Sequence, residues 1–291
     1  MAVVVVTSSN PGEGKTGVAA AIARHYAYLG REVRLARLEG DGDSSSADAA
    51  CFAALPFAPG SPAAAVPASS LSDPSGAILV VEAGLAAAGA IAGATVVLVS
   101  RNHTPDSLPA GLAPVAVVVT DAPGVRGSST LTADGAPPTV AVGEDRTLAG
   151  FAVSEARRAL NADVLVPGDA GDPTCDYLVV APIASDAGQP YFRRFDTKAV
   201  VVRFDRTDMH LAAMKAEPAC LILTGGRRPS DYLFDAATAQ GVPVLLSRTD
   251  TENTVIALER VFDHTRFTGE RKLDRMAELL EGTALFDALA L

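Results

Sequence analysis

The chain has 291 residues, of which 48% are apolar, so it is long enough to form two domains with buried cores. Its 34 acidic and 24 basic side chains give a formal net charge of −10, which disfavours broad binding to nucleic acid or to an anionic membrane. The three cysteines are dispersed along the sequence without a Cys-x-x-Cys pair, which is typical of buried thiols in a reducing cytoplasm.

Membrane insertion and secretion are also disfavoured by the sequence. The longest apolar stretch, residues 86–99, is short for a bilayer span and rich in Gly and Ala. The N-terminus enters a strand at once, without the basic segment of a signal peptide. We therefore expect a cytoplasmic protein.

The first predicted element is the strand Val3–Val6, which runs into a glycine-bearing loop and then into a helical segment from Val18 to Leu29. A phosphate-binding loop requires this order of strand, tight loop and helix. The glycines let backbone N–H groups turn inward because they carry no Cβ, and the helix start adds unpaired N–H donors. The predicted nucleotide contacts are Asn10, Pro11, Gly12, Glu13, Gly14, Lys15, Thr16 and Gly17.

Lys15 and Thr16 carry the predicted chemistry of this loop. Lys15 has the reach to contact the β- and γ-phosphates, and the Thr16 hydroxyl is a ligand for Mg²⁺. The alternative is a turn-rich helix start with a surface lysine, which the full context disfavours. The loop departs from the common pattern at Ser9, where a glycine usually stands.

Glu82 is predicted to be the second Mg²⁺ ligand. It lies near the end of the apolar strand Ala77–Gly84, and ligands of open α/β sheets gather at the carboxyl ends of the strands. The alternative is a salt-bridged residue at the sheet edge. Arg37, at the end of the strand Glu32–Leu38, has two interpretations as well: it reaches a phosphate or substrate, or it sits at a strand edge.

The rest of the first half continues the alternation of strands and helices. Strands are predicted at Thr95–Val99, Pro114–Val119 and Pro138–Gly143, and a helix at Phe151–Leu160. The connection from Asn102 to Ala113 is barely long enough for a crossover, so any helix there is short or missing. This pattern predicts a doubly wound parallel sheet with helices on both faces, the α/β fold of P-loop NTPases.

A second alternation follows a Pro-, Gly- and Asp-rich stretch. Its predicted strands are Tyr177–Ala181, Ala199–Phe204, Ala219–Leu223 and Val242–Leu246, and its predicted helices are Ala187–Arg194, Thr207–Lys215, Pro229–Gln240, Thr251–His264 and Glu270–Glu281. The glycine turn at Gly225 and Gly226, with Arg227 and Arg228 after it, is either an anion-binding corner or a tight βα turn.

These motifs, in this order, resemble dethiobiotin synthetase in the first half and the DRTGG domain in the second, as in the N-terminal part of long phosphotransacetylases. The first resemblance is carried by Gly14-Lys15-Thr16, Val81-Glu82-Ala83-Gly84 and Val142–Leu148, and the second by Phe204–Asp208 and Leu223–Ser230. Together, the two resemblances imply a P-loop domain at residues 1–162, a linker at 163–175, and a smaller α/β DRTGG domain with a C-terminal helix at 176–291. No counterpart of the acetyltransferase domain is expected.

The resemblance also assigns roles to single residues. It implies that Lys15 and Thr16 bind phosphate and Mg²⁺, that Glu82 binds Mg²⁺, and that Glu144 and Asp145 lie near the adenine of ATP. Thr120-Asp121 stands where the family often has an asparagine that contacts the adenine amino group. The phosphate loop is thus preserved beside an altered site for base and substrate.

The leading hypothesis is an ATP-binding regulatory protein, at most a slow ATPase, whose DRTGG domain dimerises or senses an effector, with a metabolic enzyme as a possible partner. One alternative is an ATP-dependent carboxylate ligase of the dethiobiotin or cobyrinate synthetase type, marked by ADP release that depends on one carboxylated metabolite. Another is an assembly module whose P-loop is a relic. A tyrosine kinase is disfavoured, because the last tyrosine is Tyr232 and no C-terminal tyrosine cluster follows.

Overall fold

A computed structural model describes residues 2–40, 45–71, 76–105, 107–169, 171–181 and 190–291. The chain divides into two compact α/β units, Met1–Asp145 with Glu270–Leu291, and Arg146–Gly269. The second unit is therefore inserted into the sequence of the first. Within the described ranges, no helix is both long and apolar enough to cross a membrane.

The first unit is built on a seven-stranded sheet in the order β2-β3-β1-β4-β5-β7-β6. Its strands are β1 (Ala2–Ser8), β2 (Val33–Arg37), β3 (Ile78–Gly84), β4 (Thr95–Arg101), β5 (Ala116–Thr120), β6 (Ser128–Leu131) and β7 (Thr139–Val142). All neighbours pair in parallel except β6, which runs antiparallel at one edge. The valines of β1 are buried on both faces, which explains their continuous apolar run.

The first helix of this unit begins at Lys15. The helices described before the second unit are α1 (Lys15–Tyr28), α2 (Ser45–Ala53) and α3 (Leu85–Ala88). The helix and the parallel strands predicted for the first 143 residues are confirmed, as is the shortened connection between β4 and β5, where the described residues contain no helix. The antiparallel β6 was not predicted, because its exposed polar residues lack an apolar alternation.

Residues 270–291 return to the first unit as two helices, α9 (Glu270–Leu280) and α10 (Ala284–Leu289). The ring of Phe286 stacks on His25 of α1, with centroids 3.7 Å apart and planes inclined by 14°. Arg24 of α1 also forms an ion pair with Asp274 of α9. The C-terminal helices thus belong to the first unit, whereas the sequence placed them with the second.

The second unit carries a five-stranded sheet in the order β11-β12-β13-β14-β9. The strands of this unit, including a two-stranded pair of β8 and β10, are β8 (Phe151–Ala152), β9 (Asp163–Val166), β10 (Thr174–Cys175), β11 (Tyr177–Val180), β12 (Lys198–Arg203), β13 (Cys220–Thr224) and β14 (Val244–Leu246). Neighbours from β11 to β14 are parallel, and β9 pairs antiparallel with β14. The stretch 163–175, predicted as a linker, therefore contributes two short strands to this unit.

Helices cover both faces of the second sheet. Those described are α4 (Arg146–Ala149), α5 (Val153–Leu160), α6 (Thr207–Met214), α7 (Asp231–Gln240) and α8 (Thr251–Phe262). Side chains of α6 and α7 form one buried cluster with the sheet, and those of α5 and α8 form another. The predicted helix Ala187–Arg194 begins outside the described residues.

Candidate functional site

The loop between β1 and α1 is fixed in a tight conformation at the carboxyl end of the first sheet. Gly12 and Gly14 have φ angles of 78° and 93°, which L side chains rarely adopt. The Thr120 hydroxyl, at the end of β5, donates to the Glu13 carbonyl oxygen at 2.9 Å. A Cβ on Gly14 would lie 3.0 Å from the Thr120 methyl group. The loop therefore requires glycine at position 14.

Lys15 is folded back into this loop. Its side chain is 6% exposed, and its Nζ donates to the Ser8 hydroxyl oxygen at 2.7 Å. The Ser8 hydroxyl in turn donates to the Asn10 carbonyl oxygen at 2.6 Å. The hydroxyl is a neutral acceptor, so a phosphate oxygen would give the ammonium group a stronger, charge-assisted hydrogen bond in its place.

Glu13 closes the loop from within. Its carboxylate accepts hydrogen bonds from the Asn10 backbone N–H at 3.2 Å and from Asn10 Nδ2 at 3.0 Å. Pro11 and Gly12 lie exposed at the loop tip, and Gly17 is buried in the first turn of α1. The geometry makes Glu13 a brace of the loop, because a carboxylate is a poor direct contact for a phosphate.

Thr16 and Glu82 meet across the sheet edge. The Thr16 hydroxyl donates to Glu82 Oε1 at 3.2 Å, and the Glu82 side chain is almost fully buried. The other carboxylate oxygen, Oε2, is buried without a hydrogen-bond partner in the described part of the chain. Such an oxygen is costly to leave unpaired, so its place beside a hydroxyl fits a bound cation.

Burial dominates the electrostatics of Glu82 and raises its pKa to about 7. Asp48 raises it further, whereas Arg37, Lys15 and the hydrogen bond from Thr16 act in the opposite direction. Arg37 Nε lies 3.6 Å from Glu82 Oε1 and 3.7 Å from Asp48 Oδ2. Mg²⁺ would hold the carboxylate in its charged form.

Arg37 is 2% exposed. Its Nη1 donates to the Leu38 carbonyl oxygen at 2.9 Å. This hydrogen bond holds the Arg37 side chain at the end of β2, which is an edge strand of the sheet. This position favours the interpretation of Arg37 as a strand-edge residue over that of a residue that reaches a phosphate or substrate. In this role Arg37 supports the Glu82 carboxylate.

Mg²⁺ fits this set of oxygen ligands. It binds proteins through one or two carboxylates together with substrate phosphates and waters. The described residues contain no group of three or more His, Cys, Asp or Glu side chains placed to hold a metal. A Mg²⁺ ion here would therefore depend on phosphate and water oxygens to complete its coordination.

Glu144 and Asp145 lie away from the loop. They follow β7, which is separated from β1 by β4 and β5. Asp145 accepts a hydrogen bond from Arg275 Nε at 2.8 Å, and Glu144 is exposed. The structure thus brings the loop residues and Glu82 together but places these two acidic residues at a distance, further along the same sheet edge.

Two residues at the loop were missed as site residues from sequence: Ser8 supports Lys15, and Thr120 fixes the loop. The pairing of Arg275 with Asp145, away from the loop, was not predicted either. Ser8 and Thr120 end parallel strands, a signal that was available from the strand pattern. Arg275 had no local signal, because it meets Asp145 only through the return of the chain to the first unit.

The backbone N–H groups of the glycine turn in the second unit are hydrogen-bonded to the segment that follows β14. The N–H groups of Gly225 and Gly226 donate to the carbonyl oxygens of Thr249 and Ser247, at 2.8 and 3.0 Å. Arg228 pairs with Asp231 at 3.4 Å. Since these amides are already used, the geometry favours the tight βα turn over an anion-binding corner.

A comparison with known protein families finds a DRTGG domain within the second unit. Residues 155–261 match the DRTGG domain. A solved structure, the CBS and DRTGG domains of the regulatory region of Clostridium perfringens pyrophosphatase complexed with its activator diadenosine tetraphosphate, matches with 15% identity and a TM-score of 0.35. The match covers 43% of this chain and 54% of that one, so the chain spans about half the length of that neighbour. At this level of similarity, the neighbour indicates nothing about the ligands of this chain.

Proposed function

We propose that this chain is an ATP-binding regulatory protein, in which the first unit holds Mg-ATP and the DRTGG domain serves dimerisation or effector sensing. The observation that carries the proposal is the Thr16–Glu82 contact, beside which Glu82 Oε2 has no hydrogen-bond partner among the described residues and Lys15 is buried in the adjacent loop. A hydroxyl, a carboxylate and a lysine around a glycine loop at a helix start are the groups that a Mg-nucleotide requires.

Each residue has a separate part in binding. Lys15 exchanges its hydrogen bond with Ser8 for the β- and γ-phosphate oxygens, and the amides at the start of α1 face the same charge. Thr16 and Glu82 would hold Mg²⁺, which when bound neutralises the charge of the phosphates and favours loosening of the γ-phosphoryl group. Glu13 keeps the loop closed through Asn10.

Hydrolysis, if present, is expected to be slow. The carboxylates of Glu13 and Glu82 are engaged in hydrogen bonds with Asn10 and Thr16, so we assign to neither of them the orientation of an attacking water. The binding geometry thus favours nucleotide sensing over rapid turnover. The cytoplasm is the compartment in which we expect this sensing to take place. We further propose that the chain forms a homodimer through the DRTGG domain and that its partner is a metabolic enzyme.

Nucleotide-dependent thermal stability tests this proposal. ATP with Mg²⁺ at a hundredfold excess over its dissociation constant should stabilise the protein by about 2.7 kcal/mol, which corresponds to a rise in melting temperature of about 5–10 °C. Lys15→Met should lose this rise, whereas Lys215→Met, at an exposed position of the second unit, should keep it. An unchanged melting temperature of the wild type at millimolar Mg-ATP would contradict the proposal.

A further inference from the structure

Thr120 ends β5 beside the loop that joins β1 to α1. Its side chain is buried, and its hydroxyl has two carbonyl oxygens within reach. The Glu13 carbonyl oxygen lies 2.9 Å from Oγ1, whereas the Ser100 carbonyl oxygen, near the end of β4, lies at 3.3 Å. The shorter distance makes the Glu13 carbonyl oxygen the better acceptor, so the end of β5 holds this carbonyl group of the loop in place.

The Glu13 carbonyl group shares a peptide plane with the Gly14 N–H. In a planar trans peptide these two groups point in opposite directions. Because the carbonyl oxygen is held towards Thr120, the Gly14 N–H points away from β5. Gly14 is partly exposed, and its N–H has no hydrogen-bond acceptor within the described ranges of the chain. The Thr120 hydroxyl therefore sets the direction of a donor that the described residues leave unused.

The peptide on the other side of Gly14 is held as well. The Gly14 carbonyl oxygen accepts from the Val18 N–H at 3.2 Å, which fixes it to the first turn of α1. The φ angle of Gly14 is 93°, and a Cβ there would lie 3.0 Å from the Thr120 methyl carbon. Both peptide groups of Gly14 are thus oriented by the protein itself. Backbone N–H groups that are fixed in this way bind an anion with little loss of conformational freedom.

We propose that Thr120 is a positioning residue for the phosphates of the nucleotide, because its hydroxyl directs the Gly14 N–H to the ligand side of the loop. The inference rests on the proposed nucleotide binding and assigns Thr120 to the phosphate end of that site. In the family that the first half resembles, an asparagine often stands at this position and contacts the adenine amino group. The Thr120 hydroxyl bonds to the loop instead, so it supports the binding of any polyphosphate, whatever base is attached.

Calorimetric titration with Mg-ATP and with magnesium tripolyphosphate, which has no nucleoside, tests this role. Thr120→Val keeps the shape of the side chain but removes the donor, so the Glu13–Gly14 peptide loses its anchor. Both ligands should bind about fivefold more weakly to this variant, since one hydrogen bond that orients the loop is lost.

Two further variants serve as controls. Thr120→Ser keeps the donor and should bind both ligands within about twofold of the wild type. Thr95→Val changes the first residue of β4, at the opposite end of the parallel strands from the loop, and should also stay within about twofold. An affinity loss in Thr120→Ser equal to that in Thr120→Val would overturn the role of the hydroxyl.

The outcomes separate the role of Thr120 from nucleotide binding itself. If the wild type binds Mg-ATP and Thr120→Val binds it equally well, the role is overturned while the proposed function stands. A loss for Mg-ATP without a loss for tripolyphosphate also overturns the role, because it would place Thr120 at the nucleoside. Wild-type binding of Mg-ATP alone overturns it too, because the affinity would then come from the nucleoside. If the wild type binds neither ligand, both proposals are overturned.

A second variant keeps the test decisive if Thr120→Val does not fold. Thr120→Ala removes the same donor with a smaller side chain, and it should weaken the binding of both ligands by the same factor of about five. Unchanged affinity of Thr120→Ala for Mg-ATP would overturn the role of Thr120.

Discussion

The Thr16 hydroxyl donates to Glu82 Oε1 at 3.2 Å, which joins the start of α1 to the end of β3. The two residues are 66 positions apart in sequence and were each predicted separately as Mg²⁺ ligands. The parallel register explains why they meet, because Val6 and Ser8 of β1 pair directly with Glu82 and Gly84 of β3. The pairing of β1 with β3 thus places the Glu82 carboxylate beside the loop that follows β1.

The first prediction concerns the Mg²⁺ dependence of nucleotide binding. In the wild type, ATP should bind at least about tenfold more tightly with Mg²⁺ than with EDTA, and Glu82→Gln should lose most of that difference because an amide is a weaker Mg²⁺ ligand. Glu32→Gln, an exposed residue before β2, is the control and should behave as the wild type. Full Mg²⁺ dependence in Glu82→Gln would exclude Glu82 as a ligand.

The second prediction concerns pH. Burial raises the pKa of Glu82 from 4.5 to about 7, so between these values the folded protein holds a proton that the unfolded chain has lost. The stability contributed by this proton is fully present below about pH 4.5 and is lost as the pH rises through about 7, an effect on the order of 3 kcal/mol.

Urea unfolding without Mg²⁺, at several values between pH 5 and pH 8, measures this effect. The free energy of unfolding of the wild type should fall with rising pH relative to that of Glu82→Gln, which cannot titrate at this position. Parallel pH profiles of the two proteins would show that Glu82 is not the group responsible.

The third prediction compares two glycines of the loop. Gly14→Ala and Gly12→Ala should each cost about 1–2 kcal/mol of stability, because both residues have positive φ angles. Gly14→Ala should cost about 1 kcal/mol more, because its Cβ would press on the Thr120 methyl group, whereas nothing lies within 4 Å of a Cβ at Gly12. Thr120→Ser removes that methyl group and should recover this additional cost in chemical unfolding; no recovery would show that crowding is not the cause.

The fourth prediction concerns the C-terminal helices. Phe286→Ala should destabilise the first unit by about 1–3 kcal/mol, because it removes the ring that stacks on His25 of α1. Leu29→Ala, at a position 65% exposed just after α1, should change stability by less than about 0.5 kcal/mol. Hydrogen exchange in α1 gives the local readout, and equal protection in Phe286→Ala and the wild type would contradict the docking of α10 on this helix.

Much of the sheet architecture was predictable because buried parallel strands are written as continuous apolar runs. The strands β1 and β3 could be predicted from their own apolar residues, without knowing which strands they pair with. The tight loop between β1 and α1 was likewise predictable, since its glycines, lysine and threonine form one contiguous segment. Its binding of phosphate stays a prediction. The proximity of Thr16 and Glu82 followed from the general behaviour of parallel strand ends.

The boundaries of the two units were not predictable by the same reasoning. The Pro-, Gly- and Asp-rich stretch 163–175 looks like a linker, yet its backbone groups pair as β9 with β14 and as β10 with β8. The amphipathic pattern of α9 indicates only that one apolar face is buried, not which unit buries it. The short helix α10 was not predicted at all. The pairing of Arg275 with Asp145 could not be predicted either, because the two residues meet only where the chain returns to the first unit.

Equilibrium binding of Mg-ATP to this chain, measured by calorimetry for the wild type and Lys15→Ala, tests the central claim most directly. The account predicts saturable binding of one Mg-ATP per chain in the wild type and an affinity at least about tenfold weaker in the variant, since a charge-assisted contact with the phosphates is lost. No measurable affinity in the wild type, or equal affinity in the two proteins, would contradict it.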